Sequence, residues 1–426
     1  MPTLIHNIGT LQTPLGSFPH AGAAQGENRK YHNAAVLCDG GVIKAVYENG
    51  ALPEVGADTQ TIDAQGRLVT PGLIDAHTHL VFGGWRQNEI PLKLKGAGYL
   101  DILRAGGGIL STVRATRKAS EDELFEKSRA FLDELMAQGV TTAELKSGYG
   151  LDKETELKQL RVIKRLNEAH PMDAVATYLG AHAIPEEYRG KSGEYIDFII
   201  SDMLPEIKRQ GLAEFCDVFL ETGVFGVEES RRLLTAAREM GFGLKIHADE
   251  IDELGGSQLA GELGAVSAEH LIATGERGME ALARGGVTAA LLPCTSLYLN
   301  KSFARARDMI ARGIPVAVAT DFNPGSCPSL NIGLCMTMAY LKYRMTPEEI
   351  LSAVTINAAC AVNRAQSSGT IEPGKQADMV IWNAEDMEML CYRMGSNLAG
   401  TVIKNGAIVK NLSLIHISEP TRLRCI

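Results

Sequence analysis

Pro71-Gly72-Leu73-Ile74-Asp75-Ala76-His77-Thr78-His79 is an apolar run that ends in two histidines two residues apart. Side chains alternate between the faces of a strand, so His77 and His79 project to one side and can bind one metal ion. An isolated His-x-His pair is common. This one closes a run from Leu68 to Ile74 with the character of a buried strand, where two adjacent imidazoles need a partner. A metal ion supplies one; a pair of hydrogen-bonded core histidines is the competing explanation.

The surrounding chain sets that strand in a repeating pattern. Eight short β-rich runs alternate with helical stretches: Leu68–His77, Thr141–Lys146, Ala174–Leu179, Cys216–Glu221, Gly243–His247, Ala265–His270, Val287–Leu292 and Val316–Thr320. This is the pattern of a parallel α/β barrel. The length of 426 residues exceeds one ordinary core of ~100–200 residues but suits a (β/α)8 barrel of ~250 residues with a smaller domain beside it. Helix starts are marked by capping boxes, Ser120 with Glu123 and Thr346 with Glu349, and Gly139 closes the first of these helices.

The two ends of the chain read differently. Ala35–Cys38 and Val42–Tyr47 are short strands flanking the turn Asp39-Gly40-Gly41, and Met379–Trp382 precedes a hairpin signal at Asn405-Gly406. Neither end has strands enough for its own core. The expectation is a composite β domain from residues 1–70 and 368–410 beside a barrel spanning 71–367.

Composition excludes several classes. Apolar residues make up 45% and charged residues 22%, ordinary for a globular protein. No apolar run approaches the ~20 residues of a membrane span, and the start lacks a basic-then-apolar leader. Eight cysteines without a C-x-x-C pair suggest reduced thiols and a cytoplasmic setting. A net charge of −9 gives no basic face for nucleic acid. A small anionic substrate is compatible, given a local arginine.

Catalytic groups on a barrel lie at the C-terminal ends of its strands. His77 and His79 end strand one, His182 follows strand three, His247 ends strand five, His270 ends strand six and Asp321 ends strand eight. His6, His20, His32, His170 and His416 lie elsewhere and receive no role.

These residues carry a resemblance. The chain resembles the amidohydrolase superfamily in PGLIDAHTH, His247, His270, Asp321 and IEPGKQADMVIW, and within it the imidazolonepropionase family. The narrower likeness rests on Arg86 in FGGWR, ELKSGYG (144–150), YLGAHAIP (178–185), HADEI (247–251), AEHL (268–271), LLPC (291–294) and ATDFNPGS (319–326). It ends near Val409. Residues 411–426 neither continue a strand nor resemble the family, and are set apart as a non-native tail.

The resemblance implies a hydrolase that opens the cyclic amide of 4-imidazolone-5-propanoate to N-formimidoyl-L-glutamate in histidine degradation. It implies one divalent ion, zinc or iron, on His77, His79, His247 and Asp321. Relatives with two metals use a carboxylated lysine on strand four, which has none here; Lys146, on strand two, is expected to be structural or solvated. Asp321 would move the proton, His270 would orient the attacking water, and Glu250, three residues after His247, would sit beside that ring as partner or proton carrier. Arg86 would grip the propionate, unless it is a surface arginine paired with Glu89. Tyr149 and His182 would hydrogen-bond the ring or its carboxylate, unless they are a loop-packing phenol and a helix-start histidine, and Asn323, the Gly325 N–H and Ser326 would hold the product carboxylate, unless these last serve only the turn. The family suggests a homodimer.

Other features carry no role. Gly106-Gly107-Gly108 lacks the Gly-Lys-Ser/Thr of a phosphate loop, and Cys294 and Cys327 have no evident base. Two rivals stand beside the hydrolase: an aminohydrolase deaminating a nucleobase-like ring, which Arg86 and Tyr149 oppose, and a non-catalytic scaffold on the same fold, which the intact ligand set opposes.

Overall fold

Eight parallel strands surround the site. In the computed structural model, which describes residues 2–96 and 107–411, they are β6 (Leu73–Asp75), β7 (Val140–Lys146), β8 (Asp173–Ala181), β9 (Phe215–Leu220), β10 (Gly243–Ala248), β11 (Ser267–His270), β12 (Thr288–Leu291) and β13 (Val316–Val318), paired in chain order. A bridge between Thr78 and Phe322 brings the end of the last strand back to the first. The His79 N–H donates to the Phe322 carbonyl at 2.9 Å, and the Asp321 N–H to the His77 carbonyl at 3.0 Å. The architecture is a nearly closed (β/α)8 barrel.

Strands covered by helices outside and packed against one another inside are buried on both faces, which is why they read as near-continuous apolar runs. β7 is buried at every position, Glu144 and Lys146 included. The helix Glu121–Met136 starts on a capping box: Ser120 Oγ accepts from the Glu123 N–H at 3.1 Å, and Glu123 returns the bond to the Ser120 N–H at 2.7 Å. Its apolar stripe, Leu124, Leu132 and Leu135, packs on the barrel. Thr346 and Glu349 cap the helix Pro347–Ala353 in the same way.

A second sheet joins both ends of the chain. It contains β1 (Thr3–Thr13), β2 (Arg29–Asp39), β3 (Val42–Tyr47), β4 (Gln60–Asp63), β5 (Leu68–Pro71), β14 (Met379–Trp382), β15 (Ala399–Lys404) and β16 (Ala407–Asn411). Most pairings are antiparallel, but β1 pairs in parallel with β4 and β5. Ile5, Val36, Ile381 and Ile403 belong to its own apolar core. Asn405 and Gly406 turn the last hairpin with φ of 51° and 76°, the left-handed pair that a two-residue hairpin requires.

Two expectations need correction. The run from Leu68 to His77 is two strands, because Pro71 still pairs with Met379 in the small sheet whereas Leu73 pairs with Val140 in the barrel. Asn411 pairs with Thr401 and so belongs to the last strand rather than to a tail. Residues 412–426, and Gly106 of the triple-glycine run, lie outside the described residues. Among those described, no helix is long and apolar enough to cross a membrane.

Gly72 makes the crossing from one sheet to the other. A Cβ there would lie 2.3 Å from Thr141 Oγ1 and 2.5 Å from its Cγ2. Overpacking of this kind costs about 1–3 kcal/mol. Gly72→Ala is therefore expected to lower the thermal midpoint measurably; a midpoint equal to that of the parent protein would show that the crossing has room to spare.

Candidate active site

Four donor groups from three strand ends converge at the mouth of the barrel. His77 Nε2 and His79 Nε2 lie 3.2 Å apart, and His247 Nε2 lies 3.3 Å from His79 Nε2. Asp321 Oδ1 is 3.3 Å from His77 Nε2 and 3.4 Å from His79 Nε2. All four residues are buried. Donors about 2.1 Å from a common centre and separated in this way subtend angles of about 100–110°, the range of a four-coordinate metal ion. Burial, together with the Lys146 charge, holds the His77 pKa well below the usual imidazole range, and burial also lowers that of His247. Both rings are therefore neutral, as a metal ligand must be. Burial opposes ionisation of Asp321, but the imidazoles of His77 and His79 outweigh it and hold the group as a carboxylate. The residues fit a metal ion.

Backbone conformation aims these groups. Asp249, His270, Leu271 and Asp321 all have left-handed φ, from 51° to 69°. Such non-glycine residues are strained and persist only where their surroundings over-determine them. Here the Leu271 N–H donates to Ala248 and the Ala273 N–H to Asp249. Thr295 Oγ1 donates to Asp321 Oδ2 at 2.5 Å, which leaves Oδ1 for the imidazoles.

Beneath the donors lies a charge lattice that the motif-based reading missed. Lys146 Nζ lies 2.7 Å from Asp217 Oδ2, 3.0 Å from Glu144 Oε1 and 3.5 Å from Glu269 Oε2. Lys245 Nζ lies 3.1 Å from Glu144 and 3.6 Å from Glu269 Oε1. All five residues have no solvent exposure. Lys146 is thus structural and not solvated: burial opposes its charge, but the three carboxylates outweigh that and raise its pKa. Asp217 Oδ2 also faces His247 Nδ1 at 3.0 Å, and Glu269 Oε2 faces His77 Nδ1 at 3.7 Å. The signal was available: the alternation that pairs His77 with His79 also sets Lys245 beside His247 and Glu144 beside Lys146.

Above the donors opens a cavity of about 800 Å³. Arg86 lines it while holding Glu89 with two hydrogen bonds, Nε at 3.0 Å and Nη2 at 3.3 Å. Pairing with Glu89 and facing the cavity, posed as alternatives from the sequence, coexist. A Cβ on Gly325 would come within 2.1 Å of Arg86 Nη1, so a larger residue there would push the guanidinium from its place. Tyr149 sits on a loop clamped from below, where Glu156 accepts from the N–H groups of Gly148, Gly150 and Leu151 at 2.8–3.1 Å. His182 stacks on His79 with ring centroids 4.9 Å apart. Its Nδ1 lies 3.1 Å from the Gly148 carbonyl, an oxygen that can only accept, so Nδ1 carries the proton and Nε2 is a free acceptor.

Two placements differ from expectation. Glu250 lies 3.6 Å from His270 Nε2, so its neighbour is that ring and not His247; the chain bends after Ala248 instead of making a helical turn. The Gly325 N–H is not exposed, because Asn323 Oδ1 accepts from it at 2.8 Å and from the Ser326 N–H at 2.7 Å. Asn323 and Ser326 border the cavity, but the asparagine's amide is committed to the turn.

The amidohydrolase family model matches residues 220–409, and a second amidohydrolase model matches residues 60–98. The chain is 51% identical over 411 residues to the imidazolonepropionase of Alkaliphilus metalliredigens, covering 95% of this chain and 97% of that protein. It is 56% identical over 348 residues to the imidazolonepropionase of Bacillus cytotoxicus, covering 82% of each. In fold it is similar to E. coli guanine deaminase, with a TM-score of 0.72 at 15% identity over 96% of this chain and 99% of that one. It is equally similar to the 5-methylcytosine deaminase of Klebsiella pneumoniae, with a TM-score of 0.72 at 18% identity over 98% of this chain and 100% of that one. At these identities the two deaminases speak to the fold alone, whereas the first two relatives match closely over most of their length. The chain belongs to the imidazolonepropionase family of amidohydrolases, hydrolases that act on C–N bonds.

Proposed function

We propose that this protein hydrolyses the cyclic amide of 4-imidazolone-5-propanoate to N-formimidoyl-L-glutamate in histidine degradation. The observation that carries this reading is the meeting, in one cavity, of a buried three-histidine, one-carboxylate donor set and a positioned arginine. His77, His79, His247 and Asp321 would hold one ion, and this set of nitrogen and oxygen donors suits zinc or iron(II). Bound there, the ion supplies Lewis acidity and lowers the pKa of water towards ~7.

The protein's own groups do the rest. Arg86 has five N–H donors, of which Glu89 takes two, so the guanidinium keeps donors for the propionate. Tyr149 and His182, which line the cavity, would hydrogen-bond the ring or its carboxylate. Water adds to the amide carbonyl, the C–N bond breaks, and the leaving nitrogen takes a proton. Asp321 is placed to accept that proton from the water and pass it on, while Thr295 fixes its second oxygen. His270 and Glu250, paired at 3.6 Å, orient the water and steady the developing charge. Glu250 is raised above the usual carboxyl range by burial, which suits a group that shares a proton with its neighbour. Ser326 borders the place of the new carboxylate. A cytoplasmic setting belongs to the same proposal, supported by cysteines that are all free among the described residues.

The deaminase alternative finds no support in Arg86, since an uncharged base offers no carboxylate to a guanidinium.

Arg86→Ala removes charge-assisted hydrogen bonds worth about 1.5–3 kcal/mol, so KM for the imidazolone is expected to rise about ten- to a hundredfold with kcat little changed. An unaltered KM in steady-state kinetics would refute the clamp. Asp321→Ala is expected to abolish turnover, and ring opening should release no ammonia, which a coupled ammonia assay checks. Stripping the metal with a chelator should lower the thermal midpoint, and zinc or iron(II) should restore it. The ligand linkage amounts to about 3–4 kcal/mol when the ion is a hundred to a thousand times its Kd. Identical midpoints with and without chelator would count against a metal at this site.

A further inference from the structure

The lattice below the donors contains a second set of metal-type ligands. Asp217, His247 and Glu269 each offer an atom within 4.8 Å of the others, all buried. For His247 the atom that faces this set is Nδ1, 3.0 Å from Asp217 and 3.7 Å from Glu269, the opposite side of the ring from the Nε2 that meets His79. Three buried carboxylates, Glu144, Asp217 and Glu269, attract a cation strongly, and the Lys146 ammonium stands among them at 2.7–3.5 Å.

We propose that Lys146 is a built-in second cation: its ammonium occupies a donor cluster that would otherwise take a metal ion, and so limits the centre to one. The charges agree. Three carboxylates against the two ammonium groups of Lys146 and Lys245 leave one negative charge, and Asp321 adds a second. One divalent ion at the upper donors neutralises both, which buried charges require. Without Lys146, three carboxylates face one lysine, and the lower cluster has both the ligands and the charge for another divalent ion. Lys146 is in addition a positioning residue, because the Asp217 oxygen it holds is the one that faces His247 Nδ1. A carboxylate behind a ligating histidine orients the ring and strengthens it as a donor. A compact, tethered ammonium suits the task, since it brings its charge without needing an open path from solvent.

This inference rests on the upper donors being a metal site, and the test separates the two. The full-length protein, freed of metal and then exposed to excess cobalt(II), is desalted and its metal measured per chain alongside the cobalt absorption spectrum. The parent protein is expected to hold one ion and Lys146→Ala two, with new absorption from the second. A folded Lys146→Ala protein that still holds one ion would overturn the proposal, as would a parent protein that takes up two. A parent protein that takes up none would instead sink the metal centre on which it rests. If Lys146→Ala does not fold when freed of metal, Lys146→Ser purified in excess cobalt(II) keeps all three carboxylates, and with them Asp217, His247 and Glu269, for the same measurement. A second ion there supports the proposal, and one ion overturns it.

Discussion

Four donor atoms, three imidazole nitrogens and one carboxylate oxygen, are held out of water within 3.4 Å of their neighbours. A cation at their centre is what makes that arrangement stable, and much of the barrel is organised around the requirement. The last strand returns to the first through backbone bonds made at His77, His79 and Asp321, so closure of the barrel and assembly of the donors are one event. The left-handed residues at the strand ends are local strain that the donor geometry demands. Burial and the Lys146 ammonium favour the neutral rings of His77 and His247, and Asp217 turns the His247 ring.

The substrate side follows a different rule. Its groups stand on loops, yet the loops are pinned. Glu156 holds the Tyr149 loop by three backbone N–H groups, and the Gly148 carbonyl in turn accepts a hydrogen bond from His182 Nδ1. Gly325 leaves the space into which Arg86 fits. Recognition and chemistry thus rest on separate supports, so a change in one can leave the other standing.

Much of this was legible in the chain. Parallel strands buried on both faces appear as apolar runs, and ligands at their ends follow from where a barrel keeps its chemistry, so the eight strands and the donor residues could be named from sequence. What escaped depended on contacts between segments distant along the chain. The division of the first strand at Gly72 comes from a change of partner, from Met379 at Pro71 to Val140 at Leu73, which no local pattern shows. Lys146 reads as a structural or solvated lysine because two of its three carboxylates, Asp217 and Glu269, sit on other strands. Glu250 was assigned to the ring nearest in sequence and found beside the ring nearest in space. The Gly325 N–H was thought open because the asparagine that covers it could equally have faced the ligand.

The transit through Gly72 has a consequence for biogenesis. The segment that delivers His77 and His79 is anchored upstream by β5, and β5 is flanked on one side by β14, far along the chain. During vectorial synthesis the first two ligands emerge early, but the strand that braces them waits for residues 379–382 to leave the ribosome. Until then β5 shows the nascent chain's surroundings a bare sheet edge, the kind of surface that chaperones shield and stray strands capture. Maturation of the centre thus waits on the emergence of β14.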